Sequence, residues 1–154
     1  MSTKIHFEDI EDIIRETLDS GKSFKISPNG GSMLPLIRQG IDNVYIKKPT
    51  EPLKKYDIIF FKRKNGSFIL HRIIKVKKDG YVLCGDNQWL AEHGIKMNDV
   101  IGIVTEIERG GIRFSCDNPE YMNYVKKRVN TRVIRNIKPI FIYNLKRVYH
   151  KICK

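Results

Sequence analysis

SFILHRIIKVKKDGYVLCGDN, residues 67–87, decides how the rest of the chain is read. Two runs rich in β-branched and aromatic residues flank Lys78-Asp79-Gly80, a turn whose glycine supplies a positive φ, so the stretch predicts a hairpin. Side chains alternate along a strand, which sets Ile69, His71 and Ile73 on one face and Leu70, Arg72 and Ile74 on the other. The second strand runs out into Gly85-Asp86-Asn87. An imidazole on a partly apolar face is compatible with a hydrogen-bonded core histidine, and an Asp after Gly with a simple Asx turn.

Similar runs lie on both sides of this hairpin. FKISP, NVYIKK and DIIFFKRK precede it, and VIGIVTEIE and IRFSC follow, separated by turn residues at KNGS and RGG. Ahead of them Phe7, Ile10, Ile13, Ile14 and Leu18 recur at helical spacing, with Glu8, Asp9, Glu11 and Asp12 at the end where the helix dipole favours acids, and Gly21 as the stop. The prediction is a mainly β domain, a coiled antiparallel sheet or partly open barrel, with an N-terminal helix at about 6–20.

A chain of 154 residues, 41% hydrophobic, suits one such domain over residues 1–120 and an appendage. The appendage is 121–154: ten of the 29 basic residues fall there and none of the 17 acidic ones, so nearly all of the +12 net charge belongs to it. Tyr121, Val125, Val129, Val133 and Ile137 recur every fourth residue, and Leu145, Val148 and Ile152 continue after Pro139, which predicts basic amphipathic helices with a break. Such a segment suits peripheral contact with an anionic membrane, or a helical hairpin packed on the β body. Phosphate would bind it nonspecifically, and no specific nucleic acid is expected. No run of about 18 apolar residues and no secretory leader is visible, which points to a cytoplasmic protein, with the inner membrane face as its peripheral station. Cys84, Cys116 and Cys153 are odd in number and widely spaced. His93 beside Cys84 lacks zinc-ligand spacing, so a reduced chain without metal or cofactor is expected.

GGSMLPLIRQG, residues 30–40, raises the question of chemistry. Ser32 before an apolar run has an ordinary reading as a helix N-cap. Yet GSMLPLI (31–37), YDIIFFK (56–62), LHRIIKV (70–76), CGDNQ (84–88) and NDVIGIV (98–104) form an ordered series over about seventy residues. That series resembles the superfamily of signal peptidase I and LexA-like serine peptidases, and covers about residues 22–110. With His71 in a His-Arg-Ile strand, the likeness is to the histidine-base branch of archaeal and endoplasmic-reticulum signal peptidases rather than to the lysine-base enzymes.

The resemblance implies the coiled β fold with a nucleophile on a turn, and a serine endopeptidase that processes a leader or precursor peptide. Ser32 is then the nucleophile and His71 the base, an imidazole being suited to accept the proton near neutral pH. A third group must orient that base, and Asp86 and Glu92 are the two candidates, Asp86 being favoured because it ends the strand paired with that of His71. Glu92 stands where the family has a second Asp, six residues after the first. Many signal peptidases place a Ser two residues before the nucleophile. Here that position is Gly30, so the oxyanion donors must be backbone N–H groups, that of Ser32 foremost, with Gly30 and Gly31 allowing close approach. Met33, Pro35 and Ile37 would wall a substrate pocket or belong to the core. Asp99 reads as a turn cap, and Trp89 as a cover for the site or a packing residue. Two rivals remain: a self-cleaving LexA-like regulator, against which stand the short segment before Ser32 and the absent lysine, and a catalytically silent binding module of the same fold.

Overall fold

A computed structural model describes residues 7–135 and 137. Its elements in chain order are α1 (Phe7–Asp19), β1 (Phe24–Ile26), β2 (Asp42–Lys47), β3 (Ile58–Lys62), β4 (Phe68–Lys77), β5 (Gly80–Cys84), β6 (Glu92–Ile95), β7 (Val100–Arg109), β8 (Ile112–Ser115), α2 (Pro119–Asn130) and the single turn α3 (Arg132–Arg135). The eight strands form one antiparallel sheet in the order β1-β2-β7-β3-β4-β5-β6, with β8 added to β7. The fold is mainly β, as the alternating runs predict, and the sheet is not closed into a barrel.

The middle of the sheet is apolar on both sides. In β3, IIFFK has no polar alternation, because Ile58 and Phe60 enter one core cluster and Ile59 and Phe61 the other. A strand covered on both faces reads as a continuous apolar run. The first cluster is roofed by Ile14 and Leu18 of α1, by Met33, Leu36 and Ile37 of the turn after Ser32, and by Tyr121 and Val125 of α2. The second gathers Leu53, Ile59, Phe61, Ile73, Leu83 and Val100.

Three expectations change. The α1 stripe is narrower than drawn, for Ile13 is 55% exposed while Ile14 and Leu18 are buried. The strand β6 went unseen because its residues, EHGI, have no β-branched or aromatic pattern until Ile95. The boundary at residue 120 falls inside α2, which begins at Pro119, capped by Asn118 Oδ1 accepting from the N–H groups of Glu120 and Tyr121. With Val125 1% exposed, this helix packs on the β body, one of the two arrangements the sequence leaves open. Among the described residues, no helix is long and apolar enough to cross a membrane. The continuation of the basic stripe through Leu145, Val148 and Ile152, with the break at Pro139, lies outside the described residues.

Candidate active site

His71 lies on β4 opposite Ile59 of β3, with its ring 6.2 Å from that of Phe61. Strand register decides which acid can meet it. Ile73 pairs with Leu83 and Leu83 with Glu92, and residues directly opposite share a face, so His71, Ile73, Leu83 and Glu92 look the same way. Arg72 and its partner Cys84 look the other way, as does Asp86 two residues on if the alternation is continued.

The contacts follow this division. Glu92 Oε1 lies 2.7 Å from His71 Nδ1, a close charge-dipole contact rather than an aligned hydrogen bond, since Nδ1 has no well-formed partner. Glu92 is fixed from behind by Arg63, whose Nε and Nη2 donate to its two oxygens, each at 2.7 Å. Across the sheet Arg72 Nε and Nη2 donate to both Asp86 oxygens at 2.8 and 2.7 Å, and Arg72 Nη1 donates to the Tyr56 carbonyl. Asp86 is therefore spent on a buried ion pair, and Glu92 is the acid beside the imidazole. This reverses the preference for Asp86; the strand end it occupies points its side chain to the wrong face.

The electrostatics agree with the geometry. Burial holds the imidazole pKa below its ordinary 6.5, the Glu92 charge opposing and Arg63 assisting, so His71 is neutral at neutral pH. Burial would raise the Glu92 carboxyl, but the Arg63 hydrogen bonds and the nearby His71 outweigh it and hold the group ionised below its usual range. A neutral imidazole against a fixed carboxylate is the state a proton acceptor needs.

Ser32 reaches this face through Gly85. Continuing the β4–β5 ladder one pair beyond Arg72↔Cys84 sets Gly85 opposite His71. A Cβ on Gly85 would stand 2.6 Å from Ser32 O and 3.1 Å from Ser32 Cβ, so only glycine admits the serine there. Asn87 tightens the contact, its N–H donating to Ser32 O at 2.8 Å and its Nδ2 to Gly31 O at 3.2 Å. Ile69, two residues from His71 on the same face, lines a cavity of about 240 Å³ together with Ser32. Ser32 thus abuts Gly85 and shares a cavity with Ile69, although no hydrogen bond joins its hydroxyl to the imidazole among the described residues. Such bonds are often loose without a substrate.

Ser32 is no helix cap. Residues 32–36 make successive turns, closed by Leu34 N–H to Gly31 O and Ile37 N–H to Met33 O, and no helix follows. The turn is held at its carbonyls: Arg109 Nη2 donates to Leu36 O at 2.7 Å, while Asp42, anchored by Arg109 and Arg38, receives the Arg38 N–H. Those two arginines hold the Asp42 carboxyl well below the carboxylate range. Gly30, at φ +89°, donates its N–H to Gln39 Oε1 and lines the cavity, whereas the Ser32 N–H meets no acceptor among the described residues, as an oxyanion donor should. Met33 is both cavity wall and core. Pro35 is exposed and outside the cavity lining, as is Gly31, so neither walls a substrate pocket there. Asp99 accepts the Lys96 N–H and caps a turn as expected.

Two arginines at the site carry no distinguishing signal in the sequence. Arg63 sits at the end of β3, in a run of basic residues where nothing distinguishes it from its neighbours. Arg128 of α2, one of a run of basic residues in the sequence, donates through Nη2 to Leu34 O and to Asp86 O, both at 3.1 Å. No protein-family model matches this sequence, and no curated protein matches it significantly.

Proposed function

We propose that this chain is a serine endopeptidase similar to the histidine-base signal peptidases, acting on a peptide or protein precursor. The observation that carries the reading is the Arg63–Glu92–His71 series ending on the sheet face that Ser32 abuts. Ser32 Oγ attacks the substrate carbonyl carbon while His71 takes its proton, and charge gathers on the carbonyl oxygen opposite the free Ser32 N–H. The C–N bond then breaks, the proton passes from His71 to the leaving amine, and an ester on Ser32 remains. Water, deprotonated by His71, hydrolyses that ester and restores the serine. Glu92 stabilises the imidazolium in both steps, as the acid of a serine triad does.

The cavity of about 240 Å³ beside Ser32, walled by Ile26, Met33, Phe60, Phe68, Ile69 and Leu70, has room for one modest apolar side chain. Its rim includes Ile26 of β1, an edge strand whose outer side can pair with an extended peptide.

The test is acylation by N-acetylalanine p-nitrophenyl ester. The wild-type protein should release a burst of p-nitrophenolate matched by an acyl adduct on Ser32. Ser32→Ala should abolish the burst, and His71→Ala should reduce it comparably, since such groups fail together. The acylation rate should rise with pH through a limb below about 6.5, the ordinary histidine value. A folded wild type without burst or adduct would establish the silent-module reading, which the unbonded Ser32 hydroxyl keeps as the rival. A rate rising only above about pH 8.5 would exclude His71 as base.

Peripheral membrane contact belongs to the same reading. Val133, Ile134 and Ile137 are exposed beside exposed Lys126, Lys127 and Arg135, which presents apolar and cationic groups together at the end of the described chain.

A further inference from the structure

The basic segment does not spend all its charge on solvent. Arg128, Arg132 and Arg135 follow at intervals of four and three, the spacing of one helical face, across the break at Thr131. Their guanidinium groups all donate to backbone carbonyls. Arg128 Nη2 bridges Leu34 O, two residues after Ser32, and Asp86 O, next to the glycine on which Ser32 rests. Arg132 Nη2 donates to Trp89 O, and Arg135 Nη2 to Arg128 O at 2.8 Å. Among the described residues the Nε atoms of Arg128 and Arg132 are buried without a partner, so it is the carbonyl contacts of their Nη2 groups that hold both side chains in place despite that cost.

We propose that Arg128 is a positioning residue: it latches the turn bearing Ser32 to the Gly85-Asp86-Asn87 loop, and so sets the nucleophile against His71 from a helix about ninety residues away in sequence. The inference rests on the serine-peptidase reading. The carbonyls of these two loops converge, and like-oriented dipoles repel unless a cation sits between them. A guanidinium is suited to this because the two N–H bonds of Nη2 lie at fixed angles in its plane, one for each carbonyl, whereas the donors of a lysine rotate on a flexible stem. Without the bridge, the remaining ties between the two loops are the Asn87 hydrogen bonds to Ser32 O and Gly31 O. The serine would then sample positions displaced from the imidazole, and a displacement of about 1 Å costs on the order of 10²-fold in rate.

The experiment compares Arg128→Ala and Arg128→Lys with wild type. It measures the acylation rate constant at saturating N-acetylalanine p-nitrophenyl ester, the half-saturating ester concentration, and amide hydrogen exchange in residues 31–37 and 85–88. Arg128→Ala should lower the rate constant at least tenfold with half-saturation within twofold, and should speed exchange in both loops while leaving β3 and β7 protected. Ethylguanidinium at concentrations too low to denature should restore part of the rate, and Arg128→Lys should lie between wild type and alanine. Unchanged rate and exchange in Arg128→Ala overturns the proposal. So does a loss of rate accompanied by loss of protection throughout the sheet and unrelieved by lysine or ethylguanidinium, which would make Arg128 a structural residue alone. If the folded wild type is not acylated, the peptidase reading falls, and the latch is decided by the exchange of the two loops.

Discussion

Asp86→Asn and Glu92→Gln remove the same charge from two carboxyl groups six residues apart, and the structure predicts opposite consequences. Arg72 is 1% exposed, and its two hydrogen bonds to a charged group both end on Asp86. An asparagine leaves that guanidinium buried without a counter-charge, which costs about 3–5 kcal/mol. Against a total stability of roughly 5–15 kcal/mol this is a large share. With about 2–4 °C per kcal/mol for a domain of this size, the melting temperature should fall by roughly 6–20 °C. Glu92 faces Arg63 across a contact open to solvent, with side chains 24% and 36% exposed, so its loss should cost about 0–1 kcal/mol. Its effect should appear in the chemistry. The Glu92 charge favours the imidazolium, so Glu92→Gln should slow acylation by ~10²-fold or more, the corresponding Asp→Asn change in a serine-protease triad being worth ~10⁴. Loss of that charge also lowers the His71 pKa further, and the acid limb of the rate should move to lower pH. Differential scanning calorimetry and burst kinetics on both variants decide the matter. A stable Asp86→Asn protein with the larger kinetic defect, or a Glu92→Gln protein with unchanged rate and limb, would refute the assignment of the two acids.

Gly85→Ala should reduce acylation at least tenfold while the sheet stays folded by circular dichroism, because the new Cβ would meet the backbone of Ser32 at 2.6 Å and must push the turn away; a rate within twofold of wild type would show that the close approach is irrelevant. Vesicles of phosphatidylglycerol and phosphatidylcholine should bind the protein at low salt and release it at high salt, each basic group near the surface contributing about 1 kcal/mol, and Val133→Asp with Ile134→Asp should weaken binding in a sedimentation assay; salt-independent or unchanged binding would place the contact elsewhere.

The strand that carries His71 and Arg72 was legible because alternation, β-branched residues and the glycine turn after it all agree there, and the opposite facing of these two side chains follows from parity alone. What parity could not give was the partner of each. That depends on β6, whose Glu-His-Gly-Ile has no strand signal and becomes a strand only by pairing with β5, a tertiary effect outweighing propensity. Asp86 looked the better acid because it is near in sequence to the end of the paired strand, but nearness along the chain says nothing about the side of the sheet. The place of the tail stayed open between two readings for a related reason. A stripe of apolar residues within a run of lysines and arginines identifies an amphipathic helix, and cannot say whether the stripe meets lipid or Phe114, beside which Tyr121 packs at a ring separation of 6.0 Å. Nor can a charge run reveal that one of its arginines points inward, since the acceptors of Arg128 are backbone carbonyls and leave no trace in side-chain identity.

The dependence of the Ser32 turn on α2 bears on how the molecule is born. Leu34 and Arg128 are 94 positions apart, so a ribosome synthesises the whole sheet before the helix that fastens the serine has left the tunnel. Contacts of such long sequence separation form late, because the loop between them must close first. Until then the nascent chain holds Ser32 on an unfastened turn, and the turn is fastened with the docking of α2 rather than with the strand that carries His71. Under the proposed peptidase activity, a chain assembled in this order would pass through synthesis with its serine unset, and neither its own unfolded strands nor its neighbours on the polysome would meet an armed nucleophile.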